Sequence, residues 1–221
     1  VTDQPALLEV GSRRPHPCPW TRPLLALLLE ALRGYRRILD PFGGEGTIHL
    51  LRAWGYETFA FDIEPEWAAD CGVRADARHP PFPLGWFDAV ATSSTFGNRF
   101  ADGYDGRDGS RRSSYRIALG HELDRRNVGR LKWGKAYRQE SAATWAAIVA
   151  HIRPDGRLLF HMRDYPVDKK PVAATAWHLE TLAALGWSRV VRRWTLPASS
   201  VPGAGHDQLA SVDHLVVLER Y

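Results

Sequence analysis

Asp40-Pro-Phe-Gly-Gly-Glu-Gly-Thr47 sets an acid and three glycines directly after the apolar run Arg37-Ile-Leu-Asp40. Glycine lets the chain turn tightly and come close to a ligand. The helix predicted next, Ile48–Trp54, begins with free N–H groups. Glycine turn and helix start together give a backbone that a ligand can approach closely. A dinucleotide fold would carry G-x-G-x-x-G here, and a phosphate loop would end in G-K-[ST]. Neither spacing is present.

Two further segments follow predicted strands. Phe61-Asp-Ile-Glu-Pro65 closes the run Glu57–Asp62. A carboxylate there can accept both hydroxyls of a ribose, because it offers two oxygens. Asp62 and Glu64 both qualify, and Glu64 lies 18 residues beyond Gly46. Ala91-Thr-Ser-Ser-Thr-Phe-Gly-Asn98 closes the run Phe87–Thr92. Asp76, in Arg-Ala-Asp-Ala-Arg, follows a brief third strand and reads equally as a ligand acceptor or as a turn residue.

Asp40–Thr47 resembles the D-P-F-x-G-x-G-T signature of amino-methyltransferases that act on nucleic acids. Ser93-Ser94-Thr95-Phe96 stands where that family carries [D/N/S]-P-P-[Y/F/W]. Upstream, Pro15-His-Pro-Cys-Pro-Trp-Thr-Arg-Pro resembles the proline-containing flank of the cofactor in these enzymes, and Gly97-Asn-Arg-Phe-Ala-Asp102 is similar to a G-N-R-x-A-D stretch of phage and actinobacterial DNA methylases. The resemblance covers most of residues 14–163. It implies S-adenosylmethionine as cofactor. Asp40, Pro41, Phe42, Gly43, Gly44, Gly46 and Thr47 would pass under its methionine part. Glu64 would take the ribose, with Ile63 against the adenine and Asp62 as the alternate. Asp76 would accept the adenine amino group, and Thr92 joins this cofactor set.

The same resemblance implies a catalytic loop. Ser93 and the Ser94 carbonyl would hold the target amine beside Thr95, and Phe96 would stack on a base flipped from its duplex. A serine in first position is closer to the cytosine-N4 branch than to the adenine-N6 branch. Both family prolines are missing here. Proline stiffens a loop by fixing φ, so this loop needs hydrogen bonds in their place, or the site has drifted towards inactivity.

Residues 99–138 hold eleven Arg/Lys against five Asp/Glu, a net +6. The whole chain carries +4, so the remainder sums to −2. A basic segment on a near-neutral body points to a polyanion. DNA is the expected partner, with RNA as the alternative; a solvated arginine-rich lid is the plainer reading. Asn98, Arg99, Arg111, Arg112 and Arg116 are the residues expected to meet the substrate. A catalytically silent subunit that binds DNA beside an active partner is the third possibility.

The element pattern β-α-β-α-β-β-α-β-α-β-β predicts an α/β fold with a parallel sheet and helices on both faces. Two closing strands with no helix between them predict that the last is antiparallel. With the resemblance, this is a Rossmann-like class I methyltransferase fold of seven strands. One domain is expected over residues 1–221, with an irregular arm at 1–19 and a basic target-recognition insertion at 99–138. Cys18 and Cys71 form no metal-spaced pair, so no metal is expected and a reducing cytoplasm is. The apolar run Leu24–Leu32 is too short for a membrane span and contains Glu30.

Overall fold

Residues 16, 20–95, 97, 114–167, 170–197 and 212–221 are described by the computed structural model. Strands β1 (Arg37–Asp40), β2 (Glu57–Ala60), β3 (Phe87–Ser93), β4 (Ile152–Arg163), β7 (Arg189–Pro197) and β8 (Val212–Glu219) form one sheet in the order β2-β1-β3-β4-β8-β7. β2, β1, β3 and β4 run parallel, and β8 is antiparallel to both its neighbours. The last strand is thus antiparallel, as the pattern predicts.

Both faces of the sheet are buried, and the strands show why they must be. Along β4, Leu158, Phe160 and Met162 enter one core cluster while Leu159 enters the other. Along β8, Val216 and Leu218 alternate with Leu215 and Val217 in the same way. Near-continuous apolar runs of this kind belong to strands covered on both sides. Helix α1 (Arg22–Ala31) buries Leu24, Leu25, Leu28 and Ala31 as one stripe in the second cluster. In the first cluster lie Trp67 of α2 (Pro65–Cys71), Trp145 and Ile148 of α4 (Lys135–Val149), and Leu182 of α5 (Ala174–Ala184).

Several expectations shift. The sheet has six strands, not seven. The brief strand expected at Gly72–Ala75 is reduced to one parallel bridge, Asp62 to Arg74. In Gly-Val-Arg-Ala only Val73 is a strong strand former, and three prolines follow by residue 83. The helix after the glycine loop is a 3-10 helix, Thr47–Trp54. α4 begins at Lys135, five residues before Glu140, because Tyr137 packs fully into the core. Pro154-Asp-Gly does not separate helix from strand. It lies inside β4 as a bulge, where the register with β3 jumps from Phe87–Ile152 to Ala89–Arg157. A small antiparallel hairpin, β5 (Tyr165–Val167) and β6 (Lys170–Val172), delays the next helix from Pro171 to Ala174.

The order of the strands reverses at β1 and β3. Ligands in open α/β sheets sit beyond the carboxyl ends of the strands at such a switch point. Asp40 ends β1 and Ser93 ends β3. Among the described residues, no helix is long and apolar enough to cross a membrane.

Candidate active site

At that switch point lies a pocket of about 560 Å³. Its walls include Phe42, Asp62, Ile63, Asp76, Ser93 and Thr95. A smaller hollow of about 260 Å³ opens over Gly43, Gly44, Glu45 and Thr47. His16, Phe42 and Ser93 line both, so the two make one elongated trough.

Three glycines build the narrow end for two different reasons. Gly44 and Gly46 have φ of 50° and 74°, a left-handed backbone that glycine adopts without strain. Gly43 is needed for proximity: a Cβ there would lie 2.9 Å from the Cβ of Ala60 in β2. The loop is stitched to the residues that follow β2 by Gly43 N–H to the Phe61 carbonyl (2.9 Å) and Gly44 N–H to Asp62 Oδ2 (3.0 Å).

Asp40 sits beneath this loop rather than in the trough. Its carboxylate accepts from Trp20 Nε1 (2.9 Å), Thr92 Oγ1 (2.6 Å) and the Phe42 amide (3.2 Å). Burial pushes its pKa up to about 6 despite these three donors. Asp62 faces the trough itself. Burial raises it to about 7, against the lowering effect of the Glu64 and Gly44 amides. Negative charge on Glu64 and Asp40 adds to the rise. Both carboxyls are therefore poised to change charge near neutrality.

The two candidates for a ribose acceptor separate cleanly. Asp62 lines the pocket, whereas Glu64 does not. Glu64 Oε1 accepts from the Asp124 amide (2.9 Å) and from Asn127 Nδ2 (2.6 Å), so its carboxylate braces the 124–127 turn. Asp76 does line the pocket, but Arg78 grips both its oxygens at 3.0 and 2.7 Å. Burial opposes ionisation there, and the Arg78 contacts outweigh it, holding the carboxyl below its ordinary range.

The loop after β3 is held by hydrogen bonds where prolines are absent. Tyr137 Oη donates to the Thr95 carbonyl at 2.6 Å, and the Trp133 amide donates to the Gly97 carbonyl at 2.7 Å. Behind Tyr137 the direction of each bond is fixed. Trp145 Nε1 can only donate, and it donates to His178 Nδ1 at 2.8 Å. His178 is fully buried, which lowers its pKa to about 3 and keeps the ring neutral. Its proton is therefore on Nε2, facing Tyr137 Oη at 3.2 Å. The tyrosine proton is left for Thr95. Ser93 Oγ, at the strand end, lies 3.0 Å from His161 Nδ1.

No family model matches the chain, and no curated protein sequence matches it. Its fold does match solved structures. A SAM-dependent methyltransferase from Archaeoglobus fulgidus superposes with a TM-score of 0.54 at 15% identity, over 90% of this chain and 95% of the other. The fold is that of Rossmann-like α/β methyltransferases. The 1,6-didemethyltoxoflavin-N1-methyltransferase of Burkholderia thailandensis, crystallised with S-adenosylhomocysteine, gives 0.52 at 17% identity, over 90% and 77%. The [4+2]-cyclase SpnF gives 0.56 at 14% identity, over 90% and 80%. One methyltransferase fold thus carries different chemistries, and the reaction must be argued from the site.

Within this methyltransferase fold, the structure gathers Pro41, Phe42, Asp62, Ile63, Asp76, Ser93 and Thr95 around the larger pocket, and Gly43, Gly44 and Thr47 around the smaller. Ser94 faces an inner cavity beside Trp145 and His178, and its Oγ meets no hydrogen-bond partner among the described residues. Phe96, Asn98, Arg99, Arg111 and Arg112 lie outside the described residues, as does most of the 1–19 arm. Arg116, in α3 (Tyr115–Leu119), is paired with Glu122 at 2.8 Å. The later part of the basic segment forms a pocket wall through Leu123, Arg126, Asn127 and Val128. Tyr137, His161 and His178 do not stand out in the sequence. Their one signal is polarity inside apolar stretches, such as the histidine in Leu-Leu-Phe-His-Met.

Proposed function

We propose that this chain is a S-adenosylmethionine-dependent methyltransferase acting on the exocyclic amine of a nucleic-acid base, with DNA as the polymer and cytosine N4 ahead of adenine N6. The observation that carries this reading is the single trough that runs from the glycine loop past Asp62 and reaches Ser93. The S-adenosylhomocysteine held in the same fold by the Burkholderia enzyme supports the cofactor.

The residues present fit that cofactor. Its methionine end would lie over Gly43–Thr47, where a Cβ on Gly44 would approach the His16 ring to 3.2 Å. Asp62 already accepts two amides and retains lone pairs for ribose hydroxyls. Ile63, Ala75, Ala77 and Trp67 offer apolar walls for adenine, with Asp76 beside them. When bound, S-adenosylmethionine supplies an electrophilic methyl on a sulfonium, transferred as the S–C bond breaks and its electron pair stays on sulfur.

The protein's part is orientation and proximity. Ser93 Oγ offers an acceptor for the amine N–H at the trough. Tyr137 and Trp133 fix the backbone on either side of residue 96, so the expected aromatic platform of Phe96 starts from a tethered loop. That tether favours an active enzyme over a silent subunit. Arg125, Arg130, Lys132 and Lys135 are exposed beside this wall and suit phosphate contacts. The same residues suit RNA, which is the second reading.

Calorimetry with S-adenosylmethionine, followed by transfer of a labelled methyl group to duplex DNA, single-stranded DNA and RNA, tests the proposal. Label in DNA is the expected result. Label in RNA alone would replace the polymer, and cofactor binding without label in either would refute a nucleic-acid acceptor.

A further inference from the structure

Ser93 is backed by a pair of buried groups that cofactor binding does not use. His161 lies near the carboxyl end of β4, 7% exposed, between Phe160 and Met162. Its Nδ1 is 3.0 Å from Ser93 Oγ, and its Nε2 is 3.2 Å from Asp213 Oδ1 on β8, a close but off-axis contact. Asp213 is 4% exposed and is forked by Arg163, with Nε to Oδ1 at 2.7 Å and Nη2 to Oδ2 at 2.8 Å. Burial would raise the Asp213 pKa, but the contacts with His161 and Arg163 outweigh it and hold the group at about 2. A carboxylate fixed in its charged form beside Nε2 favours the proton on that nitrogen. Nδ1 is then a lone pair aimed at the Ser93 hydroxyl, and the serine oxygen keeps its own lone pairs for a donor in the trough.

We propose that His161, held by Asp213, receives through Ser93 the proton that the methyl acceptor must shed. The inference rests on the methyltransferase reading above. Once the acceptor nitrogen has formed its N–C bond it carries one proton too many. That proton passes to Ser93 Oγ as the serine proton passes to His161 Nδ1, and the positive charge ends on an imidazolium facing Asp213. The parts follow the logic of a serine–histidine–aspartate relay with the two ring nitrogens exchanged. Here the serine carries a proton and forms no covalent bond to substrate. His161 is accordingly a positioning residue that acts through Ser93.

The arrangement is directional. A histidine that only filled space in β4 would not need an ionised partner on one nitrogen and a trough-lining hydroxyl on the other. The other charged groups near the ring belong to its neighbours. His214 on β8 is 3.6 Å from Asp164 and 3.1 Å from Arg193 of β7, and Asp40 lies behind the Trp20 ring, whose centroid is 5.9 Å from that of His161.

Two measurements test the relay. The first is the 15N spectrum of His161 in the unaltered protein without ligand. A protonated Nε2 and bare Nδ1 are expected near pH 8, and the opposite tautomer overturns the proposal whatever the substrate. The second is single-turnover methyl transfer at saturating cofactor, run in H2O and in D2O. The unaltered enzyme should be slower in D2O, because the acceptor and serine protons move together. His161→Gln should be about 100-fold slower with that isotope effect lost, and its affinity for S-adenosylhomocysteine should be unchanged. A solvent isotope effect that persists in His161→Gln overturns the relay. An unaltered protein that neither binds cofactor nor transfers methyl overturns the methyltransferase reading, and the relay with it.

Discussion

Tyr137 donates its hydroxyl proton to the Thr95 carbonyl across 2.6 Å, joining the first turn of α4 to the loop that follows β3. The bond does what a proline ring would do by fixing φ, and it does so from outside the loop. Tyr137→Phe removes the donor and leaves a carbonyl and the His178 Nε2–H without their partner. Loss of a buried hydrogen bond of this kind costs about 1–3 kcal/mol. Chemical denaturation should show that loss, and methyl transfer should fall at least about tenfold while cofactor affinity stays near the original.

Asp62 and Glu64 are two residues apart and face different tasks. Asp62→Asn places a carboxamide against the Gly44 and Glu64 amides and weakens the acceptor in the trough. Charged hydrogen bonds contribute about 1.5–3 kcal/mol, so cofactor affinity should drop roughly 10- to 100-fold. Glu64→Gln keeps an oxygen for Asp124 and Asn127 and should leave cofactor affinity within about threefold. Calorimetry on the two variants distinguishes them; equal losses would put the ribose contact on Glu64.

That pair also shows where the sequence stops informing. Both acids satisfy the spacing from Gly46, and only the third dimension reveals that the 124–127 turn claims Glu64. The glycine loop is legible because its turn needs are local: Gly44 and Gly46 adopt positive φ, and Gly43 meets β2. The tether of the Ser93–Phe96 loop is not legible, because its donors come from residues 133 and 137 and its brace from residue 178. His161 and Asp213 are 52 positions apart, and antiparallel β4–β8 pairing sets His161 opposite Leu215, two residues past Asp213. The parallel sheet is legible from the alternation, yet Gly72–Ala75 contributes one bridge because only Val73 in it favours a strand.

Cofactor binding should depend on pH with a definite sign. Asp40 and Asp62 have folded pKa values of about 6 and about 7, above the ordinary carboxylate value of about 4. The folded chain therefore holds these protons more tightly than the unfolded chain. Their contribution to stability grows as pH falls from above 7, and is complete near pH 4. A cationic cofactor that hydrogen-bonds to Asp62 favours the ionised form. Its affinity should fall as pH drops from 7.5 to 6, and binding near pH 6.5 should release protons. Calorimetry in buffers of different ionisation enthalpy measures that release; proton uptake would contradict it. Thr92→Val removes one donor to the Asp40 carboxylate, which should raise the Asp40 pKa and carry its stability contribution to higher pH.

Arg130 and Lys135 are exposed on the basic wall and, among the described residues, neither has a side-chain ion pair with an acid. If they contact phosphates, each neutralisation to Gln should lower the salt slope of DNA binding by about 0.9 for duplex or about 0.7 for a single strand. Fluorescence anisotropy at several salt concentrations reads the slope. An unchanged slope would remove this wall from the nucleic-acid interface.

Methylation of a base amine is tested most directly by its product. The protein is expressed in a host that lacks DNA methylation, and the DNA is digested to nucleosides for mass spectrometry. A peak of N4-methylcytosine, lost in Ser93→Ala, is the predicted result; DNA and RNA both free of methylated base, from a protein that still binds S-adenosylmethionine, would contradict it.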